Sequence, residues 1–277
     1  GALRNFGTEV SSTNWGIISP DRAPNTINQD VIRELAWGHE SSCFEQLAPR
    51  IMPGDFSIEA REAVMNAWHK IDLALRNWPQ FWWLRLQDGG LRFRWFVKPF
   101  LLHHDDLPKA DKAYYLNHQS YHIDSDTPFE DWLFIDLDQA SEVARIYAEM
   151  IELLAEAEGI LDKLQADLTE TSRAWVGGQV IPLKWLRLFF TTYRNLFRFH
   201  CLPKDQGLTE EHRRLIELEI ENTEAIRSHI AKHPDSLVVA MRGPCGMCLG
   251  PDWADDFARK EHFLKATLER PCEVASV

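Results

Sequence analysis

The sequence predicts a mainly α fold, a single helical domain that carries one small β-hairpin. Apolar residues recur at steps of three and four over several long stretches, which is the pattern of amphipathic helices. Only one short stretch alternates with a period of two, the pattern of a strand. A chain of 277 residues buries roughly 75% of the surface that its unfolded form exposes, so a large hydrophobic core is expected.

The first clear helix is expected to follow an irregular N-terminal arm. Residues 1–27 are rich in Ser, Thr, Asn and Pro and show little periodicity, so we predict an arm there and the helical domain over 28–277. Ser57 followed by Glu59 is typical of a helix start. The apolar stripe that follows continues to Pro79, which breaks the helix because proline lacks a backbone N–H.

The β-hairpin is predicted over 81–97. Apolar and basic residues alternate after the turn sequence Asp88-Gly89-Gly90, and this turn chemistry is typical of two closely joined strands. The polar segment 98–138 that follows shows no period. A long irregular segment inside a compact domain is often functional, so we expect part of the site to lie there.

Five further elements are predicted in the C-terminal half. A stripe over 139–168 predicts a long helix, and Gly177, Gly178 and Pro182 are expected to interrupt the chain before the next one. The helix predicted over 183–200 is apolar on most sides, which indicates a buried, central helix. The remaining pattern predicts helices over 209–232 and 253–269, with a short strand between them over 236–241.

Charge and composition exclude several classes of partner. The formal net charge is −12, so neither a nucleic acid nor an anionic membrane is expected as a partner. No apolar run reaches the ~20 residues of a transmembrane helix. Five scattered cysteines do not form a disulfide pattern, which favours a cytoplasmic protein. The sequence has no nucleotide-binding glycine motif and no hydrolase serine motif, and it leaves open whether the chain forms a homodimer.

His200 is the residue that points most directly to a chemistry. It ends the predicted buried helix, on a face that it shares with Tyr193 and Phe197. One interpretation is a hydrogen-bonded histidine that only completes the core. The other is an axial haem ligand, because haem is a flat apolar disc that needs an apolar slot, an imidazole and cations for its propionates. Arg194 and Arg198 lie on the same helix and could supply those cations.

The chain resembles the histidine-ligated haem-dependent aromatic oxygenases in its size, its helical content, its 11 Trp residues and the stretch Arg194-Asn195-Leu196-Phe197-Arg198-Phe199-His200. This superfamily includes tryptophan 2,3-dioxygenase and the small haem tyrosine hydroxylases of antibiotic pathways. The resemblance implies an all-helical protein that binds haem b through a histidine on a late helix. It therefore assigns the iron to His200.

The resemblance further implies an oxidoreductase, a haem-dependent monooxygenase that hydroxylates the ring of an aromatic amino acid such as L-tyrosine in specialised metabolism. The oxidant would be peroxide or dioxygen. Arg92 and Arg94 are the candidates to hold the carboxylate of this small aromatic substrate, and Arg194 and Arg198 are the candidates for the haem propionates. The candidates for orienting the oxidant on the distal side are His103, His104, Asn117 and His118.

Two other interpretations stay open. The His- and Asp-rich segment 103–126 contains the ligand types of a zinc or non-haem iron enzyme. Cys245 and Cys248 form a Cys-x-x-Cys pair, which is half of a common zinc site. The remaining alternative is a helical interaction protein without enzymatic activity, which predicts an exposed apolar groove instead of a closed pocket.

Overall fold

The fold is mainly α, as the sequence predicts, in a computed structural model that describes residues 27, 30, 44–76, 97, 99–102, 108–111, 137–203, 207–234 and 253–269. Six α-helices have defined bounds within these ranges. They are α1 (Phe44–Ile51), α2 (Ile58–Arg76), α3 (Leu137–Leu164), α4 (Glu170–His200), α5 (Glu210–Lys232) and α6 (Trp253–Glu269). A short 3-10 helix, Gln165–Asp167, follows α3 directly.

The predicted helices over 139–168, 209–232 and 253–269 are confirmed, with α3 ending four residues early. None of the described residues lies in a strand, and Val97 is helical. The rest of the predicted hairpin, the predicted strand at 236–241 and residues 1–26 of the predicted arm lie outside the described residues. Within the described part of the chain, no helix is long and apolar enough to cross a membrane.

Side-chain caps explain where several helices begin. The backbone N–H of Ala60 donates to Ser57 Oγ at 3.1 Å, which makes Ser57 the N-cap that the sequence predicts for α2. Thr209 plays the same part for α5, where its Oγ1 accepts from the N–H of His212 at 3.4 Å. Gly207, two residues earlier, has a φ of 68°, a conformation that glycine adopts without the steric cost of a Cβ.

The prediction that Gly177, Gly178 and Pro182 separate two helices is wrong, because α4 runs unbroken through all three. A proline inside a helix costs roughly 3 kcal/mol, since it loses a hydrogen bond and crowds the carbonyl four residues earlier. Burial on the turn after Pro182 offsets that cost. Leu183 and Trp185 are 5% and 4% exposed, and burying one large apolar side chain stabilises by about 1.5–3 kcal/mol.

The chain forms two compact units. The first contains α1, α2, α3 from Met150 onward and α4 up to Arg187. The second contains α3 up to Glu149, α4 from Leu188 onward, α5 up to Ala231 and α6. The single helical domain expected over 28–277 stays a prediction.

The first unit is built around Trp175 of α4. Its ring lies 5.6 Å from that of Phe56, edge to face, and 6.1 Å from that of Trp68. The indole N–H of Trp68 donates to Gln179 Oε1 at 2.7 Å, so the one polar atom of that ring has a partner. This hydrogen bond and the ring contact of Trp68 with Trp175 tie α2 to the first half of α4.

Asp55 fixes the start of α4 in the same unit. Its carboxylate accepts from Ser172 Oγ and Thr169 Oγ1, each at 2.6 Å. These two bonds, with that of Ser172 the larger influence, lower the pKa of Asp55. A carboxylate at this point also suits the positive end of the α4 dipole.

The second unit has an aromatic core between α3 and α4. Tyr147 of α3 lies 5.4 Å from Phe190, 5.6 Å from Tyr193 and 6.1 Å from Phe197, and the last pair is stacked. All four side chains are at most 2% exposed. The aromatic residues that make the C-terminal half of α4 look buried in the sequence are therefore buried against α3.

Candidate functional site

Three of the predicted site residues, His200, Arg194 and Arg198, lie on α4 within the described residues. The other candidates lie outside the described residues, namely Arg92, Arg94, His103, His104, Asn117 and His118. Cys245 and Cys248 also lie outside them.

His200 is the last residue of α4 and is half-buried. Its ring meets that of Phe199 edge to face, with centroids 6.0 Å apart. Phe199 is itself buried and packs on Phe100 at 5.2 Å and on His212 at 5.0 Å. The imidazole thus lies at the margin of the aromatic core, where one part of the ring packs on protein and another part is exposed.

Cys201, the next residue along the chain, is also half-buried. Burial raises the pKa of its thiol, which favours the protonated form. Among the described residues, no three His, Cys, Asp or Glu side chains are grouped so that they could hold a metal ion. Neither His200 nor Cys201 is therefore part of a metal-ligand cluster with other described residues.

The two arginines of α4 differ in their partners. Arg198 Nη2 donates to Glu211 Oε1 at 2.7 Å, with both side chains more than a third exposed. Arg194 donates through Nη2 and Nε to Asn195 Oδ1, at 2.9 and 3.1 Å, and makes no ion pair within the described part of the chain. Burial lowers the pKa of Arg194, as does the nearby charge of Arg198, while Glu219 acts in the opposite direction.

A buried polar network lies beside Arg194 and was missed by sequence reasoning. Its centre is Glu219 of α5, which is 0% exposed. Lys260 Nζ of α6 donates to Glu219 Oε1 at 2.5 Å, and Thr192 Oγ1 of α4 donates to the same oxygen at 2.6 Å. Asn195 Nδ2 donates to the other oxygen, Oε2, at 2.9 Å. Three helices therefore converge on one carboxylate.

Further contacts surround the buried pair of Glu219 and Lys260, both of which are 0% exposed. Asn222 Nδ2 donates to Thr192 Oγ1 at 2.9 Å and to the carbonyl oxygen of Leu188 at 3.1 Å. The ammonium of Lys260 lies 5.8 Å from the ring centroid of Phe100, within reach of a cation–π attraction. Burial lowers the pKa of Lys260, and the charge and hydrogen bond of Glu219 oppose that shift.

A signal for this network exists in α5, although it is easy to misread. The buried face of α5 includes Leu215, Ile216, Glu219, Thr223 and Ile226, so polar residues occupy positions of the apolar stripe. Polar groups at such positions require internal partners, because burying an unpaired charge is costly. A glutamate on the inner face of one helix therefore predicts a lysine or an arginine facing it.

No protein-family model, curated protein or solved structure gives a significant match to this chain.

Proposed function

We propose that the chain is a haem b-dependent monooxygenase that hydroxylates the ring of an aromatic amino acid such as L-tyrosine, with His200 as the iron ligand. The observation that carries the proposal is the state of Arg194. Its guanidinium is half-buried, and within the described residues its only hydrogen-bond partner is the neutral amide of Asn195. A half-buried cation with no carboxylate bonded directly to it favours the binding of an anion beside it.

A haem b would supply two such anions as propionates. Arg194 and Arg198 lie one helical turn apart on α4, and His200 ends the same helix two residues after Arg198, on the face that it shares with Phe197. A cationic pair and an imidazole on one element are the polar groups that haem requires.

The ion pair between Arg198 and Glu211 does not oppose this fit. Both side chains are more than a third exposed, and such pairs contribute only about 0–1 kcal/mol. A propionate can therefore replace Glu211 as the partner of Arg198 at small cost. The half-buried imidazole of His200 is the proposed iron ligand.

The roles of the protein's own residues follow from this assignment. Haem, when bound, supplies the oxidising chemistry with peroxide or dioxygen. His200 would hold the iron, and Arg194 and Arg198 would hold the propionates. Arg92 and Arg94 remain proposed for the substrate carboxylate, and the proposed distal residues remain His103, His104, Asn117 and His118.

The test is an ultraviolet–visible spectrum of the protein expressed with a haem precursor. We expect a Soret band in the wild type, its loss in His200→Ala, and its retention in His262→Ala. His262 is a matched control because it lies exposed on α6 in the same unit. The next assay is hydroxylation of L-tyrosine with peroxide or with dioxygen and a reductant.

A wild-type protein without a Soret band, even after addition of hemin, would overturn the proposal. Metal analysis would then separate the two alternatives. Stoichiometric zinc or iron would favour a site in the segment 103–126. No metal and no chromophore would favour a helical interaction protein.

A further inference from the structure

The Asn195 side chain joins two parts of the second unit that have opposite requirements. On one side is Glu219, whose ionised carboxylate can only accept hydrogen bonds. On the other is Arg194, whose guanidinium can only donate them. A carboxamide has one donating and one accepting end, so Nδ2 must face Glu219 and Oδ1 must face Arg194. The observed contacts follow this rule. Asn195 Nδ2 donates to Glu219 Oε2 at 2.9 Å, and Asn195 Oδ1 accepts from Arg194 Nη2 at 2.9 Å.

Lys260 and Thr192 hold the carboxylate of Glu219 in place. Lys260 Nζ donates to Oε1 at 2.5 Å, and the hydroxyl of Thr192 donates to the same oxygen at 2.6 Å, which leaves Oε2 to accept from Asn195. With both oxygens of Glu219 engaged as acceptors, the amide of Asn195 has one stable orientation.

We propose that Glu219, held by Lys260, is a positioning residue that orients Arg194 for a bound carboxylate through the amide of Asn195. This inference rests on the proposed function in one respect, since it takes the carboxylate to be a haem propionate. Two of the five guanidinium N–H groups of Arg194 are held by Asn195 Oδ1. The remaining N–H groups are then turned in a fixed direction, and less rotational freedom is lost when an anion binds.

The variant for the test is the double substitution Glu219→Met/Lys260→Met. It removes the acceptor of Asn195 without leaving a buried charge, so it preserves the fold better than either single change. The matched control is Glu224→Met/Lys265→Met. It removes an ion pair between α5 and α6 in which Lys265 Nζ lies 3.0 Å from Glu224 Oε1 and both side chains are about half exposed. Far-ultraviolet circular dichroism establishes that both variants are helical.

The first readout is the affinity for hemin compared with that for hemin dimethyl ester, which lacks the propionate charges. In the Glu219→Met/Lys260→Met variant we expect affinity for hemin to fall roughly tenfold, the size of one well-oriented charge-assisted bond. Affinity for the ester should not change, and the control variant should match the wild type with both probes. An equal fall for hemin and ester would overturn the positioning role, because that result marks a general loss of packing.

The second readout does not need haem. The N–H proton of Arg194 Nε, assigned by its loss in Arg194→Lys, is hydrogen-bonded in the wild type and should exchange slowly with water in an NMR experiment. We expect fast exchange in Glu219→Met/Lys260→Met and slow exchange in the control. If wild-type protein binds no hemin, the proposed function fails, while fast exchange in the variant still supports the positioning of Arg194. Unchanged slow exchange in the variant would overturn it, whatever the result with hemin.

Discussion

Removing one member of the buried Glu219–Lys260 pair should cost more stability than removing one member of any exposed ion pair described in this unit. Both side chains are 0% exposed, so the member left behind has no water to solvate its charge. Breaking a buried pair from one side typically costs about 3–5 kcal/mol. A whole domain is stable by about 5–15 kcal/mol, so either single variant should be close to unfolding.

The double variant separates this charge effect from lost packing. Replacing a buried ion pair by apolar residues of similar volume is often close to neutral. Here Thr192 and Asn195 also lose their acceptor, which costs about 1–3 kcal/mol for each buried group left unsatisfied. We therefore expect Glu219→Met/Lys260→Met to be more stable than the sum of the single changes predicts, by roughly 3 kcal/mol or more.

The assay is urea unfolding followed by circular dichroism for the wild type, the two single variants and the double variant. The same double-mutant cycle, made with Met at Glu224 and Lys265, serves as the reference. That pair joins the same helices but is about half exposed, so its coupling should not exceed about 1 kcal/mol. Equal coupling in the two cycles would refute the reasoning, because it would mean that Glu219 and Lys260 are solvated in the folded protein.

Three further predictions concern single residues. Gly159→Ala, at a helical position where an added Cβ meets nothing within 4 Å, should raise the free energy of unfolding by about 1 kcal/mol; a decrease in urea titration would contradict the open space seen there. Ser57→Ala should lower the free energy of unfolding by about 1 kcal/mol through loss of the α2 cap. Ser57→Asp, measured in parallel, should retain most of the stability that Ser57→Ala loses. Burial raises the pKa of Glu261, but bonds from Lys265 and Arg227 outweigh burial and lower it. This stabilisation is present above the unfolded pKa of about 4.3 and is lost as pH falls through the folded pKa, so Glu261→Gln should flatten the pH dependence of unfolding below about pH 4.3.

The helices could be predicted because their periodicity reflects burial on one side. Ser57 and Thr209 mark the starts of α2 and α5 for a local reason, since a hydroxyl at that position satisfies a backbone N–H that has no partner in the helix. These signals need no knowledge of the rest of the chain. They explain why predicted and observed bounds agree within a few residues for those helices.

The helix break predicted before residue 183 is absent for a non-local reason. Gly177, Gly178 and Pro182 lower the intrinsic stability of a helix, and the local rule is sound. The helix persists because Trp175 packs on Phe56 and Trp68, residues more than 100 positions earlier in the chain. Contacts of that kind are not visible in a short window of sequence.

The buried network is not evident from the sequence because the isoleucines of α5 indicate a different buried face. Ile220 and Ile230 are half-exposed, whereas Glu219 and Thr223 are fully buried. Hydropathy alone places a glutamate on the surface, since glutamate is almost never buried without a partner. The partner, Lys260, is 41 positions away, and only the packing of α6 against α5 brings the two together.

The network also constrains how α4, α5 and α6 can pack. An apolar interface tolerates small shifts along a helix, because one methyl contact replaces another. Glu219 must meet Lys260, Thr192 and Asn195 at once, and a shift of one turn would leave several buried polar groups without partners, at about 1–3 kcal/mol each. The register that satisfies Glu219 therefore also fixes the amide of Asn195, whose Oδ1 accepts from Arg194. Any role of Arg194 in binding an anion thus depends on the packing of all three helices.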